Sequence, residues 1–361
     1  MSAEQSLKGI VLEALRKVIE PRSGKDVVTL GFVREVSASA GRVSIPVQLP
    51  PELATDEMRA FLQEQILSAV TGIVGVDDVR VEFQVIKRQM PESLAGVKHV
   101  IAIGAGKGGV GKSTVAVLVA VGLMRRGLRV GLLDADVYGP SLPKLTGTEE
   151  AAPLLNERGW VVPVEFEGIK ILSMGYMVPP DQAVIWRGPM AQSYVKELLQ
   201  RGDWGELDYL IVDLPPGTGD IPLTLAQTLP LTGAVLVCTP QEVALLDVVK
   251  ALRMYEKLGV PTIGFVENMS YYLLPDGQRD YIFGQGGVER ATKALNVPYL
   301  GGLPLHGAIR EYCDAGQPLA LYTEVPAHFR QATEEVVSAM VGQVTTRERQ
   351  RVPLPQLKIS N

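Results

Sequence analysis

Thiols are nearly missing from this 361-residue chain. Its two cysteines, Cys238 and Cys313, stand far apart, and no Cys-x-x-Cys pair occurs. That excludes a disulfide framework and any four-thiolate metal site that one chain could build. Histidine is as scarce: His99, His306 and His328 are scattered at spacings that match no metal-binding pattern. Cys238 lies in the apolar run Ala234–Thr239 and reads as core filler. Cys313, in Glu311-Tyr312-Cys313-Asp314, falls near a helix end and is expected to be partly exposed. Long apolar runs are also lacking, because glycine, proline or charge interrupts every stretch before it reaches spanning length. The first residues show neither the basic start nor the apolar core of a secretory signal. The expected setting is cytoplasmic, with no membrane partner. Formal net charge is −5, and the basic clusters Arg125–Arg129 and Arg347–Arg351 are short, reading as solvated helix ends. Nucleic-acid binding lacks its electrostatic footprint.

What is present is an ordinary mix, 46% hydrophobic and 21% charged, with length enough for two domains. One stretch organises it: Gly106-Lys107-Gly108-Gly109-Val110-Gly111-Lys112-Ser113-Thr114. An apolar run, 99–103, precedes it as a buried strand, and 115–124 follows as a buried helix. Strand, glycine-rich loop, Gly-Lys-Ser and helix form a phosphate loop. Glycine lets successive backbone N–H groups converge on phosphate oxygens, and the helix N-terminus adds its positive dipole end. Lys112 reaches the β- and γ-phosphates, and the Ser113 hydroxyl can hold Mg²⁺. The loop binds a nucleoside triphosphate.

Later strands end in acids. Residues 129–133 lead to Asp134-Ala135-Asp136, and Tyr209–Val212 leads to Asp213, followed by Leu214-Pro215-Pro216-Gly217-Thr218-Gly219-Asp220. Carboxylates at the C-terminal ends of parallel strands lie on the ligand-binding edge of such a sheet. An aspartate at 213 holds the Mg²⁺ shell, and the Pro/Gly run can register the γ-phosphate. If the extended conformation persists through this segment, Asp134 and Asp136 share one face. Asp136, further along, is read as orienting and deprotonating the attacking water, Asp134 as supporting the loop and the metal shell. Tyr138–Pro143 reads as a switch loop, 145–168 as an irregular excursion with a short strand near Val161, and 169–173 as a strand. Residues 234–239 and 262–266 complete the parallel set. After the last of these comes Glu267-Asn268-Met269-Ser270, where Asn268 is placed to hydrogen-bond an adenine edge. The Asn-Lys-x-Asp signature of guanine-binding P-loop proteins is absent, which favours ATP. A helix over 326–345 closes the domain, and the tail from 346 reads as loose, with Pro353 and Pro355 arguing against a helix beyond it.

The N-terminal part reads as a small α-β-β-α-β domain over 1–87. A helical apolar stripe covers 5–19, strands are expected at 27–33 and 42–49, a helix runs through Met58–Val70, and a strand occupies 78–85. Residues 88–97 form a polar linker, and 98–345 the nucleotide-binding domain. The fold class is α/β: a doubly wound, mainly parallel P-loop NTPase domain preceded by a small α/β domain.

Taken in order, the phosphate loop, Asp134–Ser141, Trp186-Arg187-Gly188-Pro189-Met190, Asp213–Asp220 and Glu267–Ser270 resemble the Mrp/ApbC family of iron–sulfur cluster carrier ATPases over roughly residues 98–335. The N-terminal part resembles the MIP18-like domain often fused to such ATPases. Lys107, directly after the first glycine, makes the loop similar to the deviant Walker A loop of partition and cluster-carrier ATPases. The resemblance implies a homodimer closing over two ATP molecules, with Lys107 crossing to the partner's phosphates. It also implies transfer of an iron–sulfur cluster to apoprotein clients, and a Trp186–Pro189 segment bordering nucleotide and dimer face. Two departures stand out. Relatives place a Cys-x-x-Cys shortly after Glu-Asn-Met-Ser, whereas this chain runs Tyr271–Gly287 without cysteine; and 49–56 lacks the cysteine many relatives carry after the second strand. Cluster iron prefers thiolate ligands, and Cys313 from two subunits supplies at most two. Three uses of the ATP cycle follow, in this order: cluster delivery, an ATP-gated adaptor in maturation that holds no cluster itself, and a positioning ATPase of the partition type.

Overall fold

A computed structural model describes residues 3–21, 24–33, 35–39, 41–49, 53–85, 91–177 and 188–350. The chain divides into two compact units, Met1–Gln89 and Met90–Asn361.

In the first unit, helix α1 (Ala3–Leu15) is followed by strands β1 (Ser37–Ser39) and β2 (Arg42–Leu49), helix α2 (Asp56–Val70) and strand β3 (Asp78–Val85). β1 pairs antiparallel with β2, and β2 parallel with β3. Strand β2 alternates strictly, burying Val43, Ile45, Val47 and Leu49 on one face, the period-2 signature of a half-buried strand. Helix α2 covers that face with Met58, Leu62, Ile66 and Val70 at helical spacing. Its start is fixed by Thr55, whose hydroxyl accepts the Met58 amide at 3.2 Å, and by Asp56 and Glu57 at the positive dipole end. Residues 27–33, expected as a strand, are not one. The Asp26 carboxylate takes the Val28 and Thr29 amides, Gly31 adopts φ +70°, and Phe32 and Val33 both donate back to the Val27 carbonyl. A side chain that hydrogen-bonds its own backbone offers a turn instead of a ladder. The first strand is therefore 37–39.

The second unit opens with a 3₁₀ turn at Glu92–Leu94, read from sequence as linker. Leu94 is fully buried and the Ser93 hydroxyl donates to the Leu199 carbonyl, so this stretch belongs to the unit. Then come β4 (Val97–Ala105), α3 (Lys112–Met124), β5 (Val130–Asp134), α4 (Leu142–Thr146), β6 (Leu154–Leu155), β7 (Val161–Val162), β8 (Val164–Phe166) and β9 (Ile169–Ser173). They are followed by α5 (Gly188–Arg201), β10 (Leu207–Asp213), α6 (Asp220–Thr228), β11 (Gly233–Cys238), α7 (Glu242–Lys257) and β12 (Thr262–Glu267). A small hairpin, β13 (Tyr272–Leu273) and β14 (Arg279–Asp280), precedes α8 (Gly287–Leu295), β15 (Tyr299–Gly302), α9 (Gly307–Asp314), α10 (Ala320–Thr323) and α11 (Ala327–Gln350). The last helix runs five residues past the end expected from sequence. The Trp186-Arg187 part of the expected nucleotide-bordering segment, and the tail beyond 350, lie outside the described residues.

Eight strands form the main sheet in the order β15-β12-β11-β4-β10-β5-β9-β8, parallel except for the edge strand β8. The near-continuous apolar runs follow from burial on both faces. In β4, Val100 and Ala102 enter the core beneath α5–α8, while Ile101 and Ile103 enter the core beneath α3 and α9–α11. Helix α3 is apolar on every side because it is buried on every side. Among the described residues, no helix is long and apolar enough to cross a membrane.

Candidate functional site

Strands β4, β5 and β10 are neighbours, and each ends in a segment that sequence reading marked. The Ala135 amide donates to the Asp213 carbonyl, Leu214 N–H to Ile103, and Gly217 N–H to Ala105, so the three strand ends are laced at one edge.

Gly109 (φ +80°) and Gly111 (φ +79°) occupy the left-handed region that other residues enter at a cost. Gly106 is required by proximity: a Cβ there would overlap the Asp247–Val248 backbone of α7. Lys112 opens α3 and is 6% exposed. Its ammonium lies 2.5 Å from Asp213 Oδ1, 3.5 Å from Asp136 Oδ2 and 3.3 Å from Ser113 Oγ. One ammonium thus faces two carboxylates, in a site where Asp213 is fully buried. Burial pushes the Asp213 carboxyl above its usual range, against the pull of Lys112. The second oxygen, Oδ2, is buried without a hydrogen-bond partner. An unsatisfied buried carboxylate oxygen is costly unless a cation or donor comes to it.

Asp134 is also fully buried, and its oxygens are taken. Oδ1 accepts the Asp136 amide at 3.1 Å; Oδ2 accepts Ser141 N–H at 3.0 Å, Leu142 N–H at 3.1 Å and the Ser173 hydroxyl at 3.0 Å. Burial, then the charge of Asp213, pushes its carboxyl up to about 7. It ties the 136–142 loop to the end of β9. Ser173, which sequence reading passed over as a strand residue, is the side-chain donor in that knot.

Lys107 is half-buried, and among the described residues no hydrogen bond or ion pair engages it. Thr114 follows Ser113 in the first turn of α3, half-buried. Asn268 is buried, and its Nδ2 donates to the Val110 carbonyl of the phosphate loop at 2.8 Å, which seats its amide beside the loop and leaves Oδ1 uncommitted. A Cβ on Gly111 would overlap that same amide. Gly108 is exposed, at the loop's outer side.

The cysteines stand apart from all this. Cys238 is 1% exposed and Cys313 4%, each inside a hydrophobic core. The expectation of a partly exposed Cys313 is therefore corrected: α9 turns that side chain under itself, and burial pushes the thiol up to about 11. Cys238 is pushed further up by the same cause. The fold brings His306 and His328 together, ring centroids 6.2 Å apart, but His306 Nδ1 is spent accepting the Ala308 amide. Among the described residues no group of three or more His, Cys, Asp or Glu is arranged to hold a metal ion.

The sheet order, the glycine loop and the acids at the neighbouring strand ends define a P-loop NTPase. Residues 96–341 match the family described as the NUBPL iron-transfer P-loop NTPase, and residues 9–83 match an iron–sulfur cluster assembly protein family. The chain belongs to the iron-transfer P-loop NTPase family. It is 42% identical over 345 residues to the iron–sulfur cluster carrier protein of Deinococcus radiodurans, covering 95% of this chain and 97% of that one. Identity to the iron–sulfur cluster carrier protein of Synechocystis is 47% over 322 residues (86% and 90% covered). Among solved structures, a nucleotide-binding protein from Archaeoglobus fulgidus in complex with ADP superposes with a TM-score of 0.59 at 36% identity, covering 68% of this chain and 97% of that one. The Pyrococcus furiosus cell division ATPase MinD shares the fold, with a TM-score of 0.52 at 23% identity over 68% and 98% of the two chains.

Proposed function

We propose that this protein is an ATP-hydrolysing iron–sulfur cluster carrier that works as a homodimer in the cytoplasm and passes clusters to apoprotein clients. The observation that carries the nucleotide half is Lys112 parked on Asp213 and Asp136 beside an empty-handed Asp213 Oδ2. One ammonium facing two carboxylates, one of them with an unpartnered oxygen, fits a triphosphate that arrives together with a divalent cation. Lys112 transfers from Asp213 to the β- and γ-phosphates, which the backbone N–H groups of the 106–114 loop would also meet. The residues present fit Mg²⁺: Asp213, with its orphaned oxygen, and Ser113 would hold it, and it would supply charge neutralisation at the phosphates. Asp134 supports that shell from behind through the loop it anchors. Asn268 reads the adenine edge. Asp136 orients the attacking water and accepts its proton as the water oxygen bonds the γ-phosphorus and ADP leaves. Lys107 of each subunit crosses to the other's phosphates.

The delivery half rests on membership of the family across both units. It makes one demand on this chain, thiolates, and both cysteines are buried in hydrophobic cores, so no ligand pair is assigned. Anaerobic reconstitution with iron and sulfide tests this. A cluster held by the dimer is the expected result, with Cys313→Ser run alongside as the control for its ligands. A dimer that hydrolyses ATP and holds no iron or sulfide above background would overturn carriage and leave an ATP-gated adaptor.

A further inference from the structure

Glu267 is a buried acid that the nucleotide chemistry does not use. It ends β12 at 3% exposure, in a strand whose other residues are apolar, threonine or glycine. Among the described residues no cation pairs with it. Instead Oε1 accepts the Ser270 hydroxyl at 2.5 Å, and Oε2 accepts the Val288 amide at 3.2 Å, in the first turn of α8. Hydrogen bonds to an ionised acceptor are about twice as strong as neutral ones. A single carboxylate therefore holds both ends of the segment 271–287, which contains the β13–β14 hairpin.

The next residue is tied to the phosphate loop, since Asn268 Nδ2 donates to Val110 O at 2.8 Å. Between Asn268 and Ser270, Met269 sits at φ +55°, a left-handed conformation that a side-chain-bearing residue keeps only where its surroundings over-determine it. They do: Asn268 N–H donates to Cys238, Leu303 N–H to Glu267, Ser270 N–H to Leu303 and Leu305 N–H to Tyr271. The path Val110, Asn268, Glu267, then Ser270 and Val288 is thus continuous and stiff. Beyond it the 271–287 segment exposes Tyr272 in the hairpin and Ile282 after it, with the Arg279 guanidinium 4.2 Å from the Tyr271 ring centroid.

We propose that Glu267 is a positioning residue that makes the 271–287 segment answer to nucleotide in the phosphate loop, so that the surface bearing Tyr272 and Ile282 differs between the nucleotide-bound and nucleotide-free protein. The inference rests on the nucleotide reading above. A triphosphate that draws the loop amides inward moves the Val110 carbonyl and the Asn268 amide it holds. Because Glu267 is bonded at both ends of the segment, the displacement passes to Ser270 and Val288 instead of being lost in a slack loop.

Hydrogen exchange of the full chain, with and without a non-hydrolysable ATP analogue, tests this, with binding of a fluorescent ATP followed in parallel. Exchange across 271–287 is expected to slow by about fivefold or more, the low end of site-to-site coupling. Glu267→Ala should lose that response while still binding nucleotide. Glu267→Gln should keep it, because its amide can donate to Ser270 Oγ and accept from Val288 N–H. Ser270→Ala, which frees one end with the carboxylate in place, should weaken it. Nucleotide binding without any response in the wild type, or an undiminished response in Glu267→Ala or Ser270→Ala, would overturn the inference alone. Absence of nucleotide binding in the wild type would overturn the nucleotide reading and this inference with it.

Discussion

Lys107→Ala is expected to lower ATP turnover by about 10³–10⁵-fold, the range for a cation supplied across an interface to a phosphoryl transfer site. The two lysines of the loop differ in what surrounds them. Lys112 is buried and held by Asp213, Asp136 and Ser113 of its own chain. Lys107, half-buried between Gly106 and the exposed Gly108, has no such partner among the described residues. In the proposed dimer, a cation left unengaged by its own chain would be available to neutralise phosphate charge in the other subunit. The variant should still bind ATP as a monomer but fail to dimerise when ATP is added, as read by sedimentation alongside phosphate release. Dimerisation and hydrolysis at wild-type levels would remove Lys107 from the mechanism.

Asp136→Asn should cost about 10²–10⁴-fold in kcat, the usual contribution of a positioned general base. Asparagine keeps the volume and the backbone bond from residue 136 to Asp134 Oδ1, and loses the charge and the proton-accepting oxygen. Asp136 is 9% exposed and 3.5 Å from the Lys112 ammonium, so a water could reach it beside the proposed phosphate site. The expected signature is an ATP-bound dimer that persists through gel filtration. Full turnover would assign the water to another group. Asp134 is a poor alternative, because four donors already occupy its oxygens.

The candidate site's grouping was legible because its pattern is local. Glycines at 106–111, the lysine and serine after them and aspartates at strand ends are read from short windows, and parallel strands bring such ends to one edge. The buried strands were legible for the same reason, as apolar runs between turn signals. The misreadings came where a local pattern had a competitor. Val27–Val33 carries strand-forming residues, but Asp26 and Gly31 bend it into turns before it can pair. Cys313 sits near a helix end, and which face of α9 turns inward depends on its packing against α4 and α10, which no short window encodes. The roles of Ser173 and Glu267 were not legible for a third reason. Ser173 meets Asp134 across 39 positions, and Glu267, read only as part of Glu267–Ser270, gains its second partner Val288 21 positions on. A buried carboxylate with no cation beside it is a signal only after the fold has shown that it is buried.

The central claim is delivery driven by ATP, and cluster transfer tests it most directly. The reconstituted dimer, isolated from free iron and sulfide, is mixed anaerobically with an apo iron–sulfur enzyme, and the client's regained activity is followed with ATP, with ADP and with the Asp136→Asn variant. The account predicts client activation that accompanies loss of cluster from the dimer, fastest with ATP and slowed in the variant. A client that stays inactive while the dimer hydrolyses ATP at full rate would contradict it.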